Sequence, residues 1–195
     1  MKVAVISDTH GSLKWLERAL EIASDAELIL HCGDVLYHGP RNPLPEGYNP
    51  AAVVELLNSL PPGKILFVRG NCDADVDVQL LEHDLSLRFR TVRIEHLRVG
   101  MVHGDQFRGK EAPLNFSKEL HLEVVLFGHT HRKKMEEKNG ILILNPGSTA
   151  LPKDSTHSIV LMEVDGNYLK ASIYDLETGR VEQEGEFELG TGGKK

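Results

Sequence analysis

Six short polar motifs carry the residue types that bind divalent cations: Asp8-Thr9-His10-Gly11, Gly33-Asp34, Gly70-Asn71-Cys72-Asp73, His103-Gly104-Asp105, Gly128-His129-Thr130-His131 and Asn145-Pro146-Gly147-Ser148. Hard and borderline cations take carboxylate, amide-oxygen and imidazole ligands. Four of the ten histidines fall inside these motifs. Each fragment alone is weak, because Asp-x-His arises often by chance and a lone histidine is more often a packed or surface residue. Together they read as one two-metal site. Asp8 and His10 share a side if their segment is extended, and His129 and His131 repeat the spacing. Asp34 and Asn71 offer oxygen ligands and His103 an imidazole. A carboxylate with two oxygens can bridge two cations, which suits Asp34. A glycine next to a ligand lets the backbone turn sharply or approach an ion closely.

The elements between the motifs explain how they could meet. Residues 2–7, 27–32 and 64–69 are apolar, β-branched runs that read as buried strands. Ser12 can cap a helix with Leu13, Leu16, Leu20 and Ala23 on one face, and Asn49-Pro50 opens another with Val53, Leu56, Leu57 and Leu60. That β-α-β-α-β start favours parallel strands with helical crossovers. In the second half, residues 91–96 and 98–103 suggest a hairpin, and residues 123–127 a buried strand after a helix near 114–121. Asn139-Gly140 and Asp165-Gly166-Asn167 mark two more hairpins, between strands at 135–138 and 141–144 and at 158–164 and 168–174. The expectation is an α/β fold: a four-layer α/β/β/α sandwich of two mixed β-sheets flanked by helices. Asp8, Asp34, Asn71, His103 and His129 each follow an apolar strand, and in sheets of this kind ligands bind at the carboxyl ends of the strands.

In this order the motifs resemble those of the calcineurin-like metallophosphoesterase superfamily: Asp-x-His, Gly-Asp, Gly-Asn-His-Asp/Glu, His, then Gly-His-x-His. The resemblance runs from Asp8 to Ser148. It departs at one position, where Cys72 stands in place of the usual histidine. The Gly-Asn-Cys-Asp variant, with the Tyr37-His38-Gly39-Pro40-Arg41-Asn42-Pro43 loop, is similar to the small bacterial YfcE-type phosphodiesterases. The resemblance implies that Asp8, His10 and His131 hold one metal and Asn71, His103 and His129 the other, with Asp34 and a hydroxide bridging them. It implies in-line attack of that hydroxide on phosphorus, with Asp34, Asn71, His103 and Cys72 as the catalytic group. Mn²⁺ is the first choice of metal, with Fe, Zn, Ni or Co as alternatives. The usual histidine protonates the leaving oxygen or contacts the phosphate. Cys72 is a poor substitute, because cations nearby favour its thiolate, which has no proton to give. A wall residue of the pocket is the plainer reading. Asp73 either orients a neighbour or caps a loop.

The resemblance thus points to a metal-dependent phosphodiesterase acting on a small phosphodiester. Two dications, two aspartates and one hydroxide leave about +1, which suits a monoanionic diester. A phosphomonoesterase or nucleotide phosphatase is the enzyme alternative. A non-catalytic assembly scaffold is the other class, since the superfamily includes a retromer subunit, although a scaffold need not retain seven ligands. Size and charge fit these readings. The 195 residues make one domain, residues 1–195, with residues 190–195 a frayed tail. The 41% hydrophobic and 26% charged content is that of a soluble globular protein. A net charge of −7 argues against a broad basic surface and a stable nucleic-acid partner. No apolar run is long enough for a bilayer, and no secretory leader is evident. Cys32 and Cys72, the two cysteines, read as free thiols in a reducing cytoplasm. A homo-oligomer stays open. His31, His83, His96, His121 and His157 read as structural or surface residues. His38, Arg41 and Arg132 could border the substrate, and residues 145–148 resemble the superfamily's closing loop.

Overall fold

A computed structural model describes residues 1–190; of the tail expected at 190–195, all but Gly190 lie outside the described residues. Alternation sets the architecture. In β1 (Lys2–Ile6), Val3 and Val5 face one way and Ala4 and Ile6 the other, and every one is fully buried. Strands buried on both faces need cover on both sides, so the sheet lies between two layers. Val3 and Val5, with Leu28 and Leu30 of β2 (Leu28–His31), join a core with Val99, Met101, Val124, Leu126, Leu142 and Leu144 of a second sheet. Ala4, Ile6 and Ile29 face outward against Trp15, Leu16 and Ala19 of α1 (Leu13–Ile22) and Val53 and Leu57 of α2 (Pro50–Asn58). On the far side, α4 (Ala112–Leu120) covers Val102, Phe127 and Ile143 through Leu114. These are the four expected layers.

The first sheet has the order β11-β10-β9-β1-β2-β3, with β3 at Ile65–Phe67, β9 at Ser158–Asp165, β10 at Tyr168–Asp175 and β11 at Val181–Glu188. β1, β2 and β3 are parallel, whereas β9, β10 and β11 form an antiparallel extension. The second sheet has the order β4-β5-β6-β8-β7: β4 Phe89–Ile94, β5 Leu97–Val102, β6 Val124–Phe127, β8 Ile141–Pro146 and β7 Lys133–Lys138. Its centre, β5-β6-β8, is also parallel. The three expected hairpins pair as β4–β5, β7–β8 and β9–β10.

Both expected helix caps form. Ser12 Oγ accepts from the Trp15 N–H and Asn49 Oδ1 from the Ala52 N–H, each satisfying a donor that the first helical turn leaves open. The buried side of α1 is Trp15, Leu16 and Ala19, so the helix is rotated from the expected face and Leu13 and Leu20 sit at its margin. Two elements escape the sequence patterns. The helix α3 (Asp75–Leu80) alternates acid and valine, so its period reads as two, and Val76 and Leu80 stay exposed. Strand β11 lies at a sheet edge with four glutamates along one side and few buried positions, so it lacks an apolar run to announce it.

Candidate metal centre

The parallel strands of both sheets end at one place, and the loops beyond them carry the polar motifs. Asp8, His10, Asp34, His129 and His131 all adopt left-handed backbone, with φ of 55°, 45°, 59°, 64° and 56°. The expectation that Asp8–His10 and His129–His131 alternate along extended chain is therefore corrected. β1 and β6 stop before them, and tight left-handed turns gather the side chains instead. Such conformations cost of order 1–3 kcal/mol each outside glycine, though Asp and His tolerate them better than most, and they persist where surroundings impose them.

Hydrogen bonds supply that constraint. Asp8 N–H donates to Gly33 O at 3.0 Å and His10 N–H to Asp34 O at 3.0 Å, tying the β1 loop to the β2 loop. The His129 N–H donates to Asp8 Oδ2 at 3.1 Å, and Ser7 Oγ donates to the same oxygen at 2.6 Å, which ties the first sheet to the second. The approach is so close that a Cβ on Gly128 would lie 1.9 Å from Ser7 Oγ and 2.6 Å from Asp8 Oδ2. Asp73 has the orienting role: its Oδ2 accepts from the N–H groups of Asp34 at 2.9 Å and Gly70 at 2.7 Å, and its Oδ1 from Val35 at 2.7 Å. Residues 145–148 brace the far side. Asn145 Nδ2 donates to Gly128 O at 2.8 Å and Ser148 Oγ to Asp8 O at 2.8 Å. Ser7, Asp73 and Ser148 thus hold the ligand loops, although only close backbone packing reveals the roles of the two serines.

Three histidines are fixed the same way. The Nδ1 atoms of His10, His103 and His131 lie 2.7, 2.7 and 2.5 Å from the carbonyls of Tyr37, Cys32 and Leu151. A carbonyl only accepts, so each Nδ1 carries a proton, and Nε2 is the ring atom that each histidine turns toward the site. The Nε2 atoms of His10 and His131 are 3.2 Å apart, and lie 3.7 and 3.2 Å from Asp8 Oδ1. That carboxylate oxygen is buried, with no donor other than these facing imidazoles. Two ring nitrogens and a buried carboxylate oxygen face one another, so a proton or a cation belongs among them. Asp34 Oδ2 lies 3.9 Å from His10 Nε2 and 3.3 Å from His103 Nε2, so one carboxylate reaches both halves. Asn71 Oδ1 is 3.2 Å from His103 Nε2, and the His129 ring meets His103 edge-on with centroids 5.1 Å apart. Asp8, His10 and His131 form one compact set of potential ligands, and Asp8, Asp34 and His103 a second; Cys72 closes a third with His10 and Asp34. The donor set fits divalent cations, with the histidines held by outer hydrogen bonds as metal-binding imidazoles usually are.

The electrostatics agree. Burial works against the charge of Asp8, but the His131 hydrogen bond and nearby imidazoles hold its carboxyl well below the ordinary range. Burial also opposes ionisation of Asp34, and His103 overcomes it. Burial disfavours charge on His103 too, yet Asp34 and Asp8 lift it to about 9: the pocket attracts positive charge. Burial lowers His10 and His129. For Cys72, burial first and Asp34 second push the thiol up to about 12, so the protein's own groups oppose the thiolate that cations favour. Its main contact with the site is through the backbone, where the Cys72 N–H donates to Asp34 Oδ1 at 2.8 Å.

A cleft of about 480 Å³ opens over these atoms, lined by Asp34, Asn71, Cys72, His129 and His131 and by Arg41 and Lys153. The remaining residues of interest fall elsewhere. His38 sits edge-on between Tyr37 and Tyr48, and His31 is buried, accepting from the Gly33 N–H and bonded to Thr9. His157 stacks on Trp15. Arg132 is exposed and does not line the cleft. Both cysteines are free.

The calcineurin-like phosphoesterase superfamily domain matches residues 1–167. The chain belongs to that superfamily. It is 43% identical over 156 residues to Phosphodiesterase YfcE of Escherichia coli K12, covering 78% of this chain and 82% of the relative. The solved structure of the E. coli YfcE phosphoesterase superposes with a TM-score of 0.82 at 38% identity, over 95% of this chain and 98% of that one. Vps29 of Chaetomium thermophilum shares the fold, with a TM-score of 0.73 at 20% identity over 97% of this chain and 100% of that one. As a member of this superfamily, the chain is a phosphoesterase with candidate ligand sets for divalent metal. No helix among the described residues is long and apolar enough to cross a membrane.

Proposed function

We propose that this chain is a divalent-metal-dependent phosphodiesterase for a small substrate. Asp8, His10 and His131 would hold one ion and Asn71, His103 and His129 the other, with Asp34 placed to serve both. The observation that carries the reading is the ring of inward-turned Nε2 atoms and the buried Asp8 oxygen, arranged around a carboxylate within reach of both sides. Mn²⁺ suits this mixed nitrogen and oxygen set, with Fe, Zn, Ni or Co as alternatives. Bound there, a pair of divalent ions supplies an oxygen nucleophile at neutral pH and neutralises charge on the phosphoryl oxygens. The chain's own residues arrange the rest. The Nδ1–H bonds of three histidines orient the rings so that Nε2 is the atom offered to a metal. Asp73 holds the Asp34 backbone N–H, and the Cys72 N–H donates to the Asp34 carboxylate. Burial of Asp8, His10 and His103 keeps water away from the ligand atoms, where each charge then acts strongly. Cys72 is a poor proton donor as either thiol or thiolate, so the site favours leaving groups that depart unprotonated. A cytoplasmic setting goes with the two free thiols, and residues 1–195 act as one domain.

The test compares bis(4-nitrophenyl) phosphate with 4-nitrophenyl phosphate at equal Mn²⁺, with and without chelator. The diester is hydrolysed faster, and chelation removes the activity. A faster monoester points to a phosphomonoesterase, and turnover that survives full chelation ends the metal reading.

A further inference from the structure

The cleft carries two charges that neither the metal ligands nor the fold uses. Arg41 and Lys153 both line it, both are exposed, and neither belongs to an ion pair among the described residues. Many cations elsewhere are paired, as Lys14, Arg69, Arg90 and Lys133 are with carboxylates, and others such as Arg93, Lys110 and Arg132 have no such pair among the described residues. Arg41 and Lys153 differ from these in that both open on the ligand cleft. Among the described residues, the only carboxylate lining the cleft is Asp34, which is 2% exposed and turned toward the histidines.

Their backbones are anchored on two different loops. A side chain at Gly39 would meet Cys72 Sγ at 3.1 Å, so the loop carrying Arg41 packs directly on that thiol. Asn42 closes the same loop by donating from Nδ2 to His38 O at 2.8 Å. Lys153 is held beside a ligand histidine, its N–H donating to His131 O at 2.8 Å. The two cations therefore reach the cleft from the Cys72 side and from the His131 side.

We infer that Arg41 and Lys153 form an anion subsite, and that the preferred substrate is a phosphodiester bearing a second anionic group, carboxylate or phosphate, on one of its alcohols. The inference rests on the phosphodiesterase reading above. The reacting diester carries one negative charge, which the ligand site is built to receive. Two further cations at the mouth then remain without a partner unless the substrate brings one. Arginine offers a planar fork and lysine a mobile point charge, and both suit carboxylate or phosphate oxygens.

Three diesters with the same 4-nitrophenyl leaving group separate the charges. The second alcohol is butyl, 3-carboxypropyl or 3-phosphonopropyl. The leaving group and the metal centre are common to all three, so ratios of kcat/KM cancel any change in metal content. At least one anionic diester exceeds the butyl ester by about tenfold, equivalent to about 1.4 kcal/mol. The larger of the two ratios identifies carboxylate or phosphate as the favoured group. The ratio falls with added salt, as an exposed charge contact should. In the Arg41→Gln/Lys153→Gln double variant it drops toward one. A ratio near one in the unaltered protein, or a high ratio that survives in the double variant, overturns the subsite. If the metal-loaded protein hydrolyses none of the three, the phosphodiesterase reading itself falls and the subsite falls with it.

Discussion

Cys72 shows how a side chain and its own backbone can have separate roles. The N–H fixes Asp34, whereas the thiol forms part of the cleft wall and touches the Asn71 amide at 3.3 Å. Cys72→Ala keeps the N–H and should retain both metal content and turnover of activated aryl diesters. Cys72→His introduces an imidazole able to protonate a departing alkoxide. General acid help is typically about 10²–10⁴-fold where the leaving group is poor. It should therefore raise kcat/KM on alkyl diesters more than on aryl ones, provided the Gly39 loop can shift to admit the ring. Parallel kinetics on one alkyl and one aryl diester check both variants. Loss of aryl activity in Cys72→Ala with metal intact makes the thiol itself essential. The residue pattern was legible here because every candidate ligand follows an apolar strand. Lys153 gave no such signal, being a lone lysine well separated in sequence from the His131 it meets in space.

At the scale of elements, the ligand loops depend on backbones that nearly touch. Gly128 follows β6 directly and lies over Ser7 and Asp8 after β1, where a Cβ would overlap Ser7 Oγ. Gly128→Ala must push the two strand ends apart, at a cost of about 1–3 kcal/mol for overpacking. It should lower Tm and also weaken metal uptake, because the His129 N–H to Asp8 bond spans the same junction. Thermal melts with and without Mn²⁺ measure this: the metal-induced rise in Tm shrinks relative to the unaltered protein. An undiminished rise means the junction does not shape the site. The strands, hairpins and helix caps were readable because alternation and capping are local. The turn geometry was not, since five left-handed Asp and His residues are imposed by contacts from distant loops. α3 and β11 were missed for the converse reason, having weak apolar patterns of their own.

At the scale of the whole molecule, a neutral imidazole is buried between the layers. His31 is fully buried, and burial lowers its pKa from 6.5 to about 3. The folded state thus resists a proton that the unfolded chain accepts. Stability is fully present above the unfolded pKa near 6.5 and falls as pH drops toward 3, with a slope of up to about 1.4 kcal/mol per pH unit from this group. His31→Asn offers the Gly33 N–H an acceptor without a titrating ring. Urea midpoints in chelator should show a shallower decline between pH 6.5 and 4.5 for the variant. Equal slopes remove His31 from the acid response. Such burial follows from the layering, which was legible in the sequence as strands apolar on both faces, although which histidine fell between the layers was not.

The central claim is that Asp34 joins two ions in one centre, and metal stoichiometry tests it most directly. Protein stripped with chelator, reconstituted with saturating Mn²⁺ and freed of excess should hold two ions per chain and hydrolyse bis(4-nitrophenyl) phosphate. Asp34→Asn, which removes the bridging charge, should hold fewer and lose turnover. A count near zero in the unaltered protein, with activity unaffected by Asp34→Asn, would contradict the account.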